Sequence, residues 1–332
     1  MTILVTGGAG YIGSHMVHEL VDAGEPVVVL DNLSTGFRFL IPGGVPFVAG
    51  STGDRELVAQ TLRQHGVTAI IHFAASIVVP DSVRDPLAYY SNNTMNTCSL
   101  LDVAIKAGVQ QFIFSSTAAV YGNAEQLPVR ENAPTMPISP YGNSKLMSEI
   151  MLHDAGKAHG LRFVVLRYFN VAGADPKLRT GQSTPAATHL IKVACETALG
   201  KRPKIEVYGT DYPTPDGTCI RDYIHVSDLA RAHSAALAYL RRSGASATFN
   251  CGYGRGASVF EVIDAVRRAS RRDFPIEISG RRPGDSAALV ADVERIRSTL
   301  DWRPQFDDLD TIVAHALAWE RRLPGKRESA SA

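Results

Sequence analysis

Thr2-Ile-Leu-Val-Thr6 runs directly into Gly7-Gly-Ala-Gly10-Tyr-Ile-Gly13, and this stretch at the start of the chain decides the fold. The apolar, β-branched run predicts a strand, the glycines predict a tight turn, and the amphipathic segment 14–23 predicts a helix. In this order Gly7 lets the chain turn, Gly10 lets a pyrophosphate approach the backbone, and Gly13 lets the helix pack closely on the strand.

The helix is followed by a second apolar run, Pro26-Val-Val-Val-Leu30, which ends at Asp31. In a βαβ unit that binds a dinucleotide, an acid at this point hydrogen-bonds the adenosine ribose. Glycines alone also serve ordinary turns, but the full order of strand, glycine turn, helix, strand and acid favours a dinucleotide site. We therefore predict that Asp31 selects NAD over NADP, with Arg38 as the one nearby cation able to weaken that preference.

The composition is that of a globular protein that acts on small molecules. The chain has 332 residues, of which 45% are hydrophobic and 20% charged, and its formal net charge is +1. This length suits one large domain or two closely packed domains. The balanced charge gives no general electrostatic attraction to nucleic acid or membrane. No leader peptide precedes the first strand and no apolar run approaches a membrane span of ~20 residues, so we expect a cytoplasmic protein. The four cysteines are far apart and lack ligand spacing, so we expect reduced thiols and no metal site.

Strands and helices alternate along the first half of the chain. Apolar runs predict strands near 45–49, 68–72, 111–115 and 161–167, and helices at 55–64, 92–106 and 144–158. This rhythm predicts an α/β fold, a Rossmann doubly wound parallel sheet with a smaller, interleaved α+β substrate domain. We expect residues 1–170 and about 222–250 to form the dinucleotide-binding domain, about 171–221 and 251–323 the substrate-binding domain, and 324–332 a disordered tail.

The candidate catalytic residues are Tyr141, Lys145 and Thr117. The segment Pro140–Lys145 opens a predicted helix in which Tyr141 and Lys145 are four residues apart, so their side chains lie one turn apart on one face. A tyrosine has a pKa near ~10, and a neighbouring ammonium together with an oxidised nicotinamide would move the pKa toward working pH. Thr117 follows a strand at the edge where α/β sheets bind ligands, and is placed to hydrogen-bond the reacting hydroxyl. By itself a Tyr-x-x-x-Lys pattern is more often an ordinary helix, and Ser115 by itself could simply satisfy the turn, but the dinucleotide unit upstream favours catalysis.

The chain resembles the extended short-chain dehydrogenase/reductase family, and within it the NAD-dependent UDP-sugar 4-epimerases. Besides the glycine stretch, the motifs that carry the resemblance are Asp31-Asn-Leu33, His72-Phe-Ala-Ala75, Ser115-Ser-Thr117, Tyr141-Gly-Asn-Ser-Lys145, Arg167-Tyr-Phe-Asn170 and Asp222-Tyr-Ile-His225-Val-Ser-Asp228. The likeness runs in order from residue 1 to about Trp319, and the segments Gly209–Gly217 and Arg281–Asp285 narrow it to the epimerases.

This resemblance implies reversible C4 epimerisation of UDP-glucose and UDP-galactose with a tightly held NAD. Tyr141 would take the proton of the sugar 4-hydroxyl while hydride leaves C4, and the ketone would then turn over and take hydride back on its other face. The cofactor-binding residues it implies are Gly7, Gly10, Tyr11, Ile12, Gly13, Asp31, Asn32, Ser51, Thr52, Phe73, Ala74, Ala75, Asn93, Ser115, Tyr141, Lys145 and Tyr168. The substrate-binding residues it implies are Thr117, Tyr141, Asn170, His189, Leu190, Tyr208, Arg221, Arg282, Asp285 and Leu289. Of these, Arg221 and Arg282 would bind the diphosphate, and Asp285 would bind the uridine ribose.

Three positions depart from the family pattern. Ser51 stands where the family often has an acid near the adenine, Ile77 where it often has a lysine, and His189 where a substrate-side asparagine is common. At the sugar pocket Leu289 is intermediate between the bulky aromatic of members restricted to UDP-glucose and UDP-galactose and the smaller residue of members that also accept N-acetylated sugars. We expect UDP-glucose and UDP-galactose as the main pair.

Three other functions compete with this one. A related UDP-sugar, such as an N-acetylhexosamine, pentose or uronate, would keep the same chemistry. A sugar-nucleotide 4,6-dehydratase would need an Asp-Glu pair after Thr117, where this chain has Ala118-Ala119. A non-catalytic dinucleotide sensor would need neither Tyr141 nor Lys145.

The resemblance also implies a homodimer. In relatives the two helices that correspond to 92–106 and 144–158 pair across a two-fold axis into a four-helix bundle. Apolar periodicity in a sequence cannot by itself show which stripe faces a partner, so the dimer is carried by the resemblance alone.

Overall fold

A computed structural model describes residues 1–185, 187–282 and 284–323 of the protein. The tail 324–332, predicted to be disordered, lies outside the described residues. The strands are β1 (Thr2–Thr6), β2 (Val27–Asp31), β3 (Phe47–Ala49), β4 (Val67–His72), β5 (Gln111–Thr117), β6 (Arg162–Tyr168), β7 (Asn170–Ala172), β8 (Ile205–Tyr208), β9 (Ile220–Arg221), β10 (Tyr223–His225), β11 (Ala247–Cys251), β12 (Ala257–Ser258), β13 (Ile276–Ser279) and β14 (Ala288–Leu289). The helices are α1 (Tyr11–Asp22), α2 (Arg55–His65), α3 (Val79–Arg84), α4 (Pro86–Tyr89), α5 (Asn96–Lys106), α6 (Pro140–His159), α7 (Leu190–Ala198), α8 (Val226–Arg241), α9 (Val259–Ser270), α10 (Glu294–Thr299) and α11 (Leu309–Arg322).

A seven-stranded sheet in the order β11-β6-β5-β4-β1-β2-β3 forms the centre of the molecule. Every neighbouring pair in it is parallel. The order 3-2-1-4-5-6 is that of the Rossmann fold, so the predicted fold class is confirmed. It places the ends of β1 and β4 side by side, where ligands bind in such sheets.

Both faces of the sheet are covered, because successive side chains of a strand point to opposite faces. Ile3 and Val5 of β1 belong to one hydrophobic core with α1 and α8, whereas Leu4 belongs to a second core with α2, α5 and α6. Strands buried on both faces are apolar throughout, as in Val27–Leu30.

The rest of the chain forms three small sheets beside the carboxyl edge of the large one. These are the pairs β7–β10 and β8–β13 and the three-stranded sheet β12–β9–β14. The chain returns to the large sheet with α8 and β11, which pairs with β6. The first hydrophobic core extends from this sheet to α9 and α11, and the exact division into two domains stays a prediction.

One predicted helix begins differently. Residues 92–106 were expected to be helical throughout, but Tyr90–Met95 form a wider π-helical turn and the α-helix starts at Asn96. A π-turn shifts the direction of side chains, and here it brings Asn93 against the loop that follows β4. Within the described residues, no helix combines the length and apolar character needed to cross a membrane.

Candidate active site

The glycine turn is built as the sequence predicts. Gly7 has φ +68°, and a Cβ there would lie 2.6 Å from the backbone nitrogen of Ala74. A Cβ on Gly13 would lie 2.1 Å from the Gly7 carbonyl oxygen, so only glycine allows α1 to approach the turn. Gly10 caps α1, and within the described chain no side chain hydrogen-bonds its first amides. These amides and the helix dipole form a site for an anion.

Asp31 ends β2 and is buried. Its carboxylate accepts hydrogen bonds from the backbone nitrogens of Ala9 (2.9 Å) and Leu33 (2.7 Å), which fix it beside the glycine turn. Asn32 is exposed next to it. Across β3, the Ser51 hydroxyl accepts from the Gly53 amide at 3.1 Å, so this serine shapes the turn that also holds buried Thr52.

The other predicted cofactor residues surround the same edge. The Tyr11 hydroxyl donates to the carbonyl of Gly173 at 2.7 Å and so ties the start of α1 to the end of β7, with Ile12 half-buried beside it. Asn93 donates to the Ser76 carbonyl at 2.9 Å and to the Ser144 hydroxyl at 3.0 Å. It thereby joins the Phe73–Ala75 loop to α6. Ile77, which replaces the family lysine, is 49% exposed.

The catalytic candidates meet where β5 and α6 adjoin. Helix α6 begins at Pro140, capped by the Ser139 side chain, so Tyr141 lies in its first turn. The Lys145 Nζ donates to the Ser115 carbonyl at 2.9 Å and lies 5.0 Å from the Phe114 ring centroid. Tyr141 forms a side-chain hydrogen bond with Thr117. The structure therefore brings Ser115, Thr117, Tyr141 and Lys145 together at the carboxyl end of β5.

The pKa values of this group differ from what the spacing alone predicts. Burial raises the pKa of Tyr141 to about 12, and the bond with Thr117 opposes this only in part. Burial lowers the pKa of Lys145 to about 8, although Glu149 one turn further along α6 acts to raise it. The expected lowering of the tyrosine pKa is therefore not produced by the lysine alone, because desolvation dominates. A second positive charge at the site would be needed to move the pKa of Tyr141 toward working pH.

Asn170, His189 and Leu190 line one pocket together with Gln182, Lys192 and Trp319. Asn170 begins β7, and His189 precedes α7. The His189 Nδ1 lies 2.7 Å from the Gln182 side-chain nitrogen, and burial lowers the pKa of this histidine. All three residues of β7 line this pocket.

Tyr208, Arg221, Arg282 and Asp285 form a second cluster. Arg282 donates to Asp285 at 3.0 Å and lies over the Tyr208 ring, 4.6 Å from its centroid. An Nη of Arg221 is 3.7 Å from the other Asp285 oxygen. Leu289 in β14 is in register with Arg221 in β9. The two arginines converge on one acid, with fork-shaped donors suited to phosphate.

Sequence reasoning missed a buried ion pair behind the catalytic residues. Arg167 donates to both carboxylate oxygens of Glu149, the shortest bond being 2.6 Å, and Ser116 also bonds this carboxylate. The spacing in the sequence could have indicated Glu149, because it follows Lys145 by four residues and therefore lies on the same helical face. The pair links β5, β6 and α6, the three elements that carry Thr117, Tyr168 and Lys145.

The segment Asp222–Asp228, which carries part of the resemblance, has a structural role. Asp222 accepts from the backbone nitrogens of Tyr253, Gly254 and Ala291 at 2.9–3.2 Å. Asp228 is fully buried and accepts from the Tyr253 hydroxyl at 2.7 Å and from the Phe306 amide at 2.8 Å. Both acids tie α8 and β10 to the last third of the chain.

Comparison with known proteins agrees with this geometry. A curated UDP-glucose 4-epimerase from Azospirillum brasilense is 61% identical over 321 residues, covering 97% of this chain and 92% of the relative. The crystal structure of UDP-glucose 4-epimerase from Brucella ovis in complex with NAD superposes with a TM-score of 0.93 at 45% identity, covering 96% of this chain and 97% of that one. The UDP-Glc/GlcNAc 4-epimerase from Campylobacter jejuni superposes with a TM-score of 0.85 at 47% identity, covering 97% and 99%.

A family model also matches residues 3–252, which run from β1 through β11 and so include the glycine turn, Asp31, Tyr141 and Lys145. With the matched segment covering most of the chain and the whole-length relatives agreeing, this protein belongs to the NAD dependent epimerase/dehydratase family.

Proposed function

We propose that this protein interconverts UDP-glucose and UDP-galactose by epimerisation at C4, using a tightly held NAD. The observation that carries the proposal is the meeting of Thr117, Tyr141 and Lys145 at the carboxyl end of β5, on the same edge of the parallel sheet as the glycine turn. The 61% identity to a UDP-glucose 4-epimerase over almost the whole chain supports the choice of reaction.

The residues present fit a dinucleotide. The amides at the start of α1, which no side chain of the described residues caps, suit a pyrophosphate, and Gly10 presents no side chain between them and an approaching anion. Asp31 is fixed by two backbone amides in the place where a ribose hydroxyl would donate. When bound, NAD supplies a hydride acceptor and, in the return step, a hydride donor, and its positive charge adds to that of Lys145.

The chain's own residues move and orient the proton. Tyr141 would accept the proton of the sugar 4-hydroxyl and return it to the oxygen at the end of the reaction. Thr117 hydrogen-bonds Tyr141 and lowers its pKa, so it favours the form that accepts the proton. Lys145, held on the Ser115 carbonyl, contributes positive charge on the same helical face.

The two clusters beyond the sheet would hold the rest of the substrate. Arg221 and Arg282 converge from β9 and the 281–285 segment and would bind the diphosphate in place of part of their contact with Asp285. The Asn170 and His189 pocket would face the sugar. Leu289, which is in register with Arg221, would approach the sugar from β14.

The test uses purified protein to which no NAD has been added. We expect an ultraviolet spectrum with bound nucleotide, and conversion of UDP-galactose to UDP-glucose without net consumption of the cofactor. Bound nucleotide with no turnover of any UDP-sugar would instead support a dinucleotide sensor. Turnover confined to N-acetylated, pentose or uronate UDP-sugars would replace the proposed substrate while keeping the chemistry.

We also infer a homodimer in the cytoplasm. Leu87, Met95 and Ile150 are exposed by 76%, 66% and 53%, and lie on the α4–α6 surface that includes both helices expected to form a four-helix bundle. Exposed apolar side chains grouped on one surface mark a protein contact. The four free cysteines agree with a reducing compartment.

A further inference from the structure

His233 is a fully buried histidine that the sequence motifs do not single out. It lies in α8, on the side of the sheet that packs against the ends of β5 and β6. Its Nδ1 is 2.8 Å from the carbonyl oxygen of Leu229, and its Nε2 is 3.1 Å from the hydroxyl of Ser115. A buried histidine with two short bonds is held in one orientation.

The partners of the ring decide where its proton lies. A backbone carbonyl can only accept, so the Nδ1 of His233 carries the hydrogen. Burial lowers the pKa of His233 to about 4, so the ring is neutral at working pH and its Nε2 bears a lone pair. The Ser115 hydroxyl must therefore donate to His233.

Ser115 also acts on two residues predicted to bind the cofactor. Its carbonyl oxygen accepts from the Lys145 Nζ at 2.9 Å. Burial raises the pKa of Tyr168 far above its usual value, and the Ser115 side chain acts to lower it. Because the hydroxyl proton of Ser115 is committed to His233, the serine oxygen presents only lone pairs to its other neighbours.

The ring also faces the predicted cofactor residues directly. The His233 and Phe73 rings have centroids 4.7 Å apart, and the Tyr168 ring is 6.3 Å away. Phe73, Ser115 and Tyr168 were all assigned to the cofactor by resemblance, and His233 is the residue behind them that contacts each one.

We propose that His233 is a positioning residue for hydride transfer, which acts through Ser115 to hold Lys145 and packs against the Phe73 and Tyr168 rings of the predicted cofactor site. This inference rests on the proposed function. A fixed acceptor at Nε2 sets the direction of the Ser115 hydroxyl, and Ser115 carries the carbonyl that holds Lys145. Misalignment by about 1 Å can cost roughly 100-fold in rate, so a remote acceptor of this kind matters to turnover.

Two substitutions separate the two bonds of His233. In His233→Gln the side-chain oxygen can reach the position of Nε2 and accept from Ser115. In His233→Asn the shorter amide can replace only the Nδ1 donor to Leu229, so the acceptor for Ser115 is lost. We expect His233→Asn to lower kcat by about 10- to 100-fold with KM for UDP-galactose within about 2-fold of wild type, and His233→Gln to restore kcat to within about 3-fold.

A second measurement does not depend on turnover. Protein loaded with NADH should show a changed nicotinamide fluorescence in His233→Asn but not in His233→Gln, with melting temperatures of both variants close to wild type. Equal kcat and equal fluorescence in the two variants would show that the histidine only fills space. If wild type has no epimerase activity, the fluorescence difference still tests His233, so failure of the proposed function is recognised separately.

Discussion

At the scale of single residues, Tyr141 carries the largest expected effect. We predict that Tyr141→Phe loses roughly 100- to 10,000-fold in kcat while UDP-galactose still binds, since only the proton acceptor is removed. Thr117→Ala should lose less and should shift the pH dependence of kcat to higher pH, because the bond from Thr117 lowers the pKa of Tyr141. Steady-state kinetics from about pH 6 to 9 check both. Wild-type turnover in Tyr141→Phe would refute the mechanism.

We expect Asp31 to govern the choice of cofactor. Its carboxylate would accept from a ribose 2′-hydroxyl and repel a 2′-phosphate, so we predict at least about 10-fold higher activity after reconstitution with NAD than with NADP. The Arg38 guanidinium lies 5.0 Å from the Phe47 ring centroid and is the cation able to blunt this preference. Arg38→Ala is therefore the matched variant, and it should raise the ratio of activity with NAD to activity with NADP. Equal activity with both cofactors would remove Asp31 from this role.

We expect Leu289 to govern the choice of sugar. It is half-buried in β14, in register with Arg221, and a bulkier residue there would crowd an acetamido group during binding and during rotation of the keto sugar. We predict that kcat/KM favours UDP-glucose over UDP-N-acetylglucosamine, and that Leu289→Tyr widens the ratio by about 10-fold. Equal wild-type values for both sugars would contradict the preference. An unchanged ratio in the variant would leave selectivity to other groups, of which His189 is the nearest candidate.

At the scale of secondary structure elements, Asp228 joins α8 to the segment before α11. Its buried carboxylate accepts from the Gln305 and Phe306 amides and from Tyr253. We predict that Asp228→Ala lowers the free energy of unfolding by about 3–5 kcal/mol, because several buried donors lose their acceptor. Urea unfolding measures it, with exposed Asp264→Ala in α9 as the control. Equal losses in both variants would argue against Asp228 as a structural link.

Most elements could be predicted from the sequence. Helix α2 occupies Arg55–His65, against the predicted 55–64, and Tyr141 and Lys145 lie in one helix as predicted. Strand and helix patterns are local and therefore readable in a single sequence. The π-helical turn at Tyr90–Met95 was missed because its cause is the contact of Asn93 with Ser76 and Ser144, residues distant in the chain.

The site could be predicted in its chemistry but not in its electrostatics. The glycines, Asp31, Tyr141 and Lys145 are identified by residue type and spacing. The upward shift of the Tyr141 pKa depends on burial, which no spacing reveals. His233 could not be found for a similar reason, since its proposed role depends on a hydrogen bond with Ser115, which is distant in the chain.

At the scale of the whole molecule, the exposed apolar surface of α4–α6 predicts self-association. We expect sedimentation to give a dimer at micromolar concentration and Met147→Glu/Ile150→Glu to give a monomer, because two buried charges would meet no partner across the interface. Ile278→Glu is the control, as Ile278 is equally exposed on β13 in the smaller part of the protein. A wild-type monomer would count against the dimer.

The position of β11 at the edge of the large sheet has a consequence for synthesis. Strand β6 is complete at residue 168, but the strand that pairs with it spans only 247–251, after α7 and α8. During translation, at about 5–20 residues per second, the hydrogen-bonding edge of β6 therefore stays unpaired for some seconds before β11 is synthesised. The nascent chain is most open to wrong strand pairing in that interval, and a chaperone that shields the edge would act there.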